Sequence, residues 1–492
     1  MKNRIISYFI LLLAVVLLLA GCSGNQAETQ KNVNLLFNFP SSRLDPVVDK
    51  NNMAVRAGIG ETLVKLNDQL QLEPALATHW ENIDSHTWKF KIRENVRFHD
   101  GSLLKAKDVK SSLVRAMESS KAIQAALKIK SIEANGQELT IRTAEVHPSL
   151  PYELVHPSTA VVKIAQGNGI VGTGPFQLAS FTPDTQVEVQ KYDRYWGGSP
   201  KLDSAVIRFN SDGNARTLAL QSKEADIAYH IPAEMIAALK NNPELRLVST
   251  SGMRNHYLIF NMRKPLFRDL EARKSVDALI PREEMVKTLF HGTAEISRGP
   301  FHSSLPFANA SSVNDGKDSV PVLAEVMKKH QHPLKLTLIT YPGRPELPLM
   351  AQVLQQEARK QGIQVQIRTV DNIDEYLSQQ TDWDLAMYSS LTAPRGDAGY
   401  FFNSSFLPEG ALNYGKIDHP ALTEKIRMFN QTLDEKQRQS LAGEIVQIIK
   451  DEALQLYMIH PHTTVAYGKH ITSWKPSRTE YYILTHQMDV RR

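Results

Sequence analysis

Residues 5 to 19 are almost wholly apolar, follow the cations Lys2 and Arg4, and run into Leu19-Ala20-Gly21-Cys22, which ends in the only cysteine of the chain. The run is too short for a comfortable membrane span and closes on small residues, so residues 1–21 read as a signal peptide rather than a fold element. With one thiol no disulfide can form within the chain, and stability must come from packing. From Cys22 onward there are 471 residues (492 minus 21). That exceeds one core of ordinary size and predicts two lobes or more.

The four residues ending in Cys22 resemble the bacterial lipobox, which implies cleavage before the cysteine and lipid, palmitate included, on Cys22. Residues 22–32 are polar and suit a flexible tether. Net charge falls from +5 to +3 without Lys2 and Arg4, and no Lys/Arg block of the kind that tracks phosphates occurs, which argues against nucleic acid as a partner. No later apolar run could cross a bilayer. The body is therefore expected on the extracytoplasmic face of the cell membrane, held by one lipid anchor.

Period-2 runs such as Thr87 to Arg93, Gln186 to Gln190 and Ala205 to Phe209 predict strands, and Asn214 to Gln221 and Pro232 to Leu239 predict helices between them. Met53 to Leu66 reads as a helix ending in an extended Leu63-Val64-Lys65-Leu66. Further on, Leu334 to Thr340, Glu346 to Gln361 and Ile363 to Thr369 predict a strand, a helix and a strand, a βαβ unit. Leu433 to Lys450 predicts a helix, followed by apolar Ala453 to Ile459 and strand-like Thr463 to Ala466. The fold class is α/β.

The ordered series Pro74-Ala75-Leu76-Ala77, Trp80, Trp88 to Arg93, Val96-Arg97-Phe98, Asp100-Gly101 and Ala106 to Val109 resembles the signature of the family 5 extracellular solute-binding proteins. These are the oligopeptide-, dipeptide- and nickel-binding receptors of bacterial ABC importers. Gly172 to Phe176, Tyr195-Trp196, Ala225-Asp226-Ile227, Leu258 to Asn261 and Leu385 to Tyr388 continue the resemblance in the family's order. It implies a two-lobed periplasmic-binding-protein type II fold with a hinge and a ligand cleft between the lobes. One lobe is expected over 33–252 with 468–492 returning to it, the other over 253–467. It also implies a monomer that is not an enzyme, has no cofactor, and works with an ABC permease and its ATPase subunits.

Several motifs point elsewhere and are weak. Gly167 to Gly172 spells GxGxxG, but it leads into Thr173-Gly174-Pro175 and a predicted strand, Phe176 to Phe181. A phosphate-binding glycine turn must open a helix. Arg395-Gly396-Asp397 spells an adhesion tripeptide. His460-Pro461-His462 could hold a metal, although paired histidines are more often surface or hydrogen-bonded residues. His291 and His302 lack ligand spacing. Among nucleophile elbows, Walker loops and HExxH none is present. A cell-surface hydrolase or an adhesion lipoprotein remains the reading from another class.

The most informative stretch is Leu391 to Phe401, which leaves a predicted strand end, where ligands of α/β lobes sit. Arg395 offers a planar fork for a carboxylate, and the resemblance implies that Asp397 is a ligand-binding residue too, where peptide-binding relatives have an aspartate that pairs with a peptide's terminal amine; the competing reading is a solvent-facing Arg beside a structural Asp397. The family resemblance adds Met53, near the ligand in nickel-binding members, and His156, where those members place an arginine that this chain lacks. Tyr400, His256, Tyr257 and Asn413 complete the expected cleft residues, with His156 or His256 able to complete the coordination of a metal. The chain is similar most of all to the nickel and metallophore receptors, which implies Ni(II) or another transition metal carried by a small organic chelator. Oligopeptide or dipeptide uptake is the alternative.

Overall fold

The computed structural model describes residues 30–165, 169–308 and 321–491. The segment expected to be a signal peptide, Cys22, most of the expected tether, and Gly167 and Asn168 of the glycine run lie outside the described residues.

Asn32–Phe37 is a strand in which Val33, Leu35 and Phe37 point into the core. It pairs in parallel with Ser204–Phe209 and with Ile227–Ala228, and Ser204–Phe209 pairs antiparallel with Gln186–Lys191. A second group of strands is built around Arg254–Phe260, which lies between Leu385–Leu391 and the first half of Gln455–Gly468. The expected βαβ unit is present: Lys335–Thr340 runs parallel to Gln364–Thr369, with the helix Glu346–Lys360 between them. Lys335–Thr340 also pairs with Leu385–Leu391.

Both groups belong to one 12-stranded sheet because Gln455–Gly468 is a single strand of 14 residues. Through Pro461 it pairs with Arg254–Phe260 and Ala294–Ile296, and from His462 with Leu245–Ser251. The chain thus passes from one group to the other at Pro461–His462, a few residues before the return expected at 468. Proline is tolerated there because its missing N–H falls where the pairing partner changes. Sequence reading split this strand in two at that proline.

A separate four-stranded antiparallel sheet, in the order Ala77–Asp84, Thr87–Ile92, Glu138–Thr143, Ile129–Asn135, packs its own core under the helix Ala106–Ser119. The helix expected over Met53 to Leu66 ends at Arg56, and only Val64–Leu66 is a strand. Gly58 and Gly60 follow Arg56 and break the helix. The glycine run does not open a helix either, since Ile170–Val171 pairs with Lys163–Ile164. Gly172 is required by packing: a Cβ there would lie 1.9 Å from the carbonyl oxygen of Ile59. Among the described residues no helix is long and apolar enough to cross a membrane.

Candidate functional site

A cavity of about 1270 Å³ opens between the two groups of strands, beside the point where Gln455–Gly468 crosses. Its wall on one side comes from Asn38 to Pro40, Asn51, Asn52, Arg56 and His230. On the other side stand Arg254, the loop Gly343 to Glu346, Ser389 to Leu391, Arg395 and Tyr400, while Thr463, Thr464 and Thr479 to Tyr481 form the floor. Loops at strand ends supply most of these groups, as is usual where two α/β layers meet.

The lining carries seven cations, Lys50, Arg56, Arg216, Arg254, Arg344, Arg395 and Arg478, against four carboxylates, Asp212, Glu234, Glu346 and Glu480. Low-dielectric walls focus that excess, so the cavity favours an anion. Glu480 is one centre of the floor. Its carboxylate lies 3.5 Å from His230 Nε2 and 3.9 Å from Arg56 Nη2, and it accepts the Thr463 hydroxyl. Burial alone would raise its pKa, but these partners outweigh burial and hold it well below the usual carboxylate range.

Of the residues expected from sequence, the structure brings Arg395, Tyr400 and His156 to the cavity wall. Arg395 stacks over Tyr400, 5.1 Å from the ring centroid, and its Nη1 lies 2.7 Å from Glu153 Oε2. Nδ1 of His156 accepts the Ser158 amide, so the neutral ring carries its proton on Nε2. Burial, aided by the Arg395 charge, pushes the pKa of His156 down to about 3. At neutral pH this imidazole is an N–H donor on Nε2, suited to an acceptor oxygen rather than to a metal ion.

The other expected residues take other places. Met53 is fully buried in the core beneath Asn32–Phe37. Asp397 accepts from Arg438 at 3.0 and 3.1 Å and from Ser149 at 3.0 Å, and caps the Gly399 amide, so its carboxylate is used inside the protein. Asn413 locks its own turn through Leu407 and Ile417. Tyr257 packs against Tyr388, Phe401 and Tyr457, and only its hydroxyl touches a lining residue, Ser390, at 3.1 Å. His256 has no exposure; its Nε2–H is donated to Glu346 Oε1 at 2.9 Å, and burial lowers its pKa. Met53 is buried on a short helix and Asp397 and Asn413 are tied down in loops, while Tyr257 and His256 lie on the central strand Arg254–Phe260, which is buried on both faces.

Of the histidines in His460-Pro461-His462, His460 is buried on Ser297 and the Arg254 carbonyl, and only His462 reaches the cavity. Among the described residues no group of three or more His, Cys, Asp or Glu comes together to hold a metal ion. Sequence reading missed Arg56, His230, Arg254, Arg344, Glu346 and Glu480. Arg344 was within reach of it, because Tyr341 to Glu346 leaves a predicted strand end just as the Arg395 loop does. For Glu480, in an irregular C-terminal segment, no signal existed.

Residues 71–413 match the family described as bacterial extracellular solute-binding proteins, family 5. The nickel-binding protein NikA of Staphylococcus aureus is 31% identical, over 97% of this chain and 98% of its own length. A nickel ABC transporter structure from Bacillus halodurans is 39% identical with a TM-score of 0.84, covering 94% of this chain and all of that one. The structure of S. aureus NikA with Ni(L-His)2 is 30% identical with a TM-score of 0.79 and the same coverages. The glutathione-binding protein GsiB of Escherichia coli is 26% identical over 93% of each chain. The architecture is the expected two-lobed type II periplasmic-binding-protein fold.

Proposed function

The chain belongs to the family 5 bacterial extracellular solute-binding proteins, and we propose that it serves an ABC importer by capturing Ni(II) or another transition metal as a small, carboxylate-bearing organic chelate. The observation that carries this reading is the cationic excess of the cleft wall. A bare divalent cation would be repelled by it, whereas a chelator that fills the coordination sphere itself offers the cavity carboxylates. The names of a nickel-binding protein at 31% identity and a nickel ABC transporter structure at 39% support the same choice. Lipid on Cys22 would keep the receptor on the extracytoplasmic face, near a permease and its ATPase. Ligand shifts an equilibrium between open and closed lobes, and no bond is made or broken.

Peptide uptake is the second reading. It is favoured by the glutathione-binding relative and by a cavity larger than the roughly 300–1,000 Å³ of most small-molecule sites. Calorimetry on the mature chain with Ni(II)-bis(L-histidine), free Ni(II), glutathione and a mixed peptide library separates the two. Chelate binding with no peptide response is expected; peptide binding alone would sink the chelate reading. Replacing Cys22 by Ser should move the protein from the membrane fraction to the soluble fraction, and unchanged membrane retention would count against the anchor.

A further inference from the structure

The seven cations of the cavity are not equally available. Arg395 faces Glu153 at 2.7 Å, and Arg56 faces Glu480. Arg216 donates to the carbonyls of Tyr229, Asn210 and His230 at 2.7 to 3.0 Å, and Arg478 to the Ser251 carbonyl at 3.0 Å and to Ser304 at 2.9 Å. Lys50 is exposed at the rim. Arg254 and Arg344 differ from all of these. The Arg254 side chain donates only to the Ser389 hydroxyl, at 3.1 Å, and the Arg344 guanidinium has no hydrogen-bond or ion-pair partner among the described residues.

The surroundings of this corner reinforce its charge. Glu346 is the adjacent carboxylate; it accepts from His256 and stays ionised, so it offsets one of the two guanidinium charges and leaves the other in excess. The 15-residue helix Glu346–Lys360 starts here after Pro345, with no side-chain cap, so the positive end of its dipole faces the same corner. Burial and the like charge of Arg344 together lower the pKa of Arg254 to about 10. Two arginines held together at that cost are stabilised when an anion sits between them.

We propose that Arg254 and Arg344, with the first turn of the helix Glu346–Lys360, form an anion subsite that takes a carboxylate of the ligand. Arg395 is then secondary in carboxylate recognition, because its Nη1 is already taken up by Glu153 at 2.7 Å. The subsite rests on the proposed function only in requiring a ligand that carries a carboxylate. Arg344 lies in a loop and is half-exposed, so its replacement should leave the apo protein folded.

The test is calorimetric titration of wild type, Arg344→Gln and Arg344→Lys with Ni(II)-bis(L-histidine) and with the carboxylate-free Ni(II)-bis(histamine), after the apo melting midpoints have been compared. Loss of a charge-assisted bidentate contact is expected to weaken the histidine chelate about 10-fold or more in Arg344→Gln. Arg344→Lys should lose less, and neither variant should bind the histamine chelate, a dication, more weakly than wild type does. Equal histidine-chelate affinity in wild type and Arg344→Gln overturns the subsite while leaving the chelate reading intact. If wild type takes glutathione and neither chelate, the metal reading falls, and the same variants titrated with glutathione decide the subsite: a 10-fold loss supports it and no change overturns it. Wild type that binds none of these probes overturns both. Should Arg344→Gln melt markedly lower than wild type, Arg344→Lys carries the comparison on the same terms.

Discussion

Replacing Glu153 by Gln should remove a defined part of the pH dependence of stability. Glu153 ends the short helix Leu150–Glu153, which belongs to the core of the four-stranded sheet, while Arg395 belongs to the loop after Leu385–Leu391. The pair is 2.7 Å apart with side chains only 10% and 15% exposed. Burial raises the Glu153 pKa, Arg395 opposes it, the Asp397 charge adds to it, and the result is about 7 against an ordinary 4.5. A carboxyl whose folded pKa is raised contributes stability that is fully present below about pH 4.5 and is lost as pH rises through about 7. Between pH 5 and 8 the loss comes to about 2–3 kcal/mol, from about 1.4 kcal/mol per pKa unit and partial ionisation at both ends. Urea unfolding of wild type and Glu153→Gln at pH 5, 6, 7 and 8 reads it directly. Wild type should lose about 2–3 kcal/mol more than the variant across that range; parallel pH profiles would refute the assignment.

Three further perturbations test the roles assigned above. Arg438→Ala leaves the Asp397 carboxylate buried without its cation and should cost about 3–5 kcal/mol in urea unfolding, with a loss under about 1 kcal/mol contradicting a structural role for the pair. Gly396→Ala forces a Cβ to 2.9 Å from Leu66 and from the Leu70 carbonyl at a φ of +77°, so about 1–3 kcal/mol of stability should go; an unchanged unfolding midpoint would contradict it. Met53→Ala should cost about 2–5 kcal/mol through an internal cavity. In protein that is still folded its ligand Kd should match wild type, and a large rise in Kd would return Met53 to the cleft.

Much of the fold was legible because periodicity reports burial. The strand, helix and strand of the βαβ unit and the alternating Gln186–Lys191 and Ser204–Phe209 each carry the pattern of the element they form. Where a single residue changes the local geometry, pattern reading fails. Pro461 hid one continuous strand, and Gly58 and Gly60 cut a helix that the apolar spacing favoured. The site was less legible for a reason of the same kind. Arg395 and Asp397 are two residues apart on one loop, yet one reaches the cavity wall and the other faces Arg438. Glu153, which decides how much of the Arg395 charge remains available, is 242 positions away (395 minus 153), and no spacing in the sequence connects them.

Those cross-chain pairs bear on how the cleft works. The loop carrying Arg395 touches the opposite side through Glu153, through Ser149, which bonds both Asp397 and Arg438, and through the Tyr481 hydroxyl on the Pro394 carbonyl. Opening the cleft would have to break contacts of this kind, so their strength sets the closed population before any ligand arrives. If they were strong, the empty protein would stay shut and ligand could not enter. The Glu153–Arg395 pair is instead marginal at neutral pH, because a carboxyl with a pKa of about 7 is charged only about half the time. Closure must then draw its remaining stabilisation from the ligand. Arg254 begins the strand that follows the chain's crossing, and Thr463 and Thr464 sit on the strand that crosses back, so a ligand held there acts next to both crossing points. Arg395 and Arg344 are therefore expected to differ in kind: loss of Arg395 should change the open-to-closed balance even without ligand, whereas loss of Arg344 should change affinity alone.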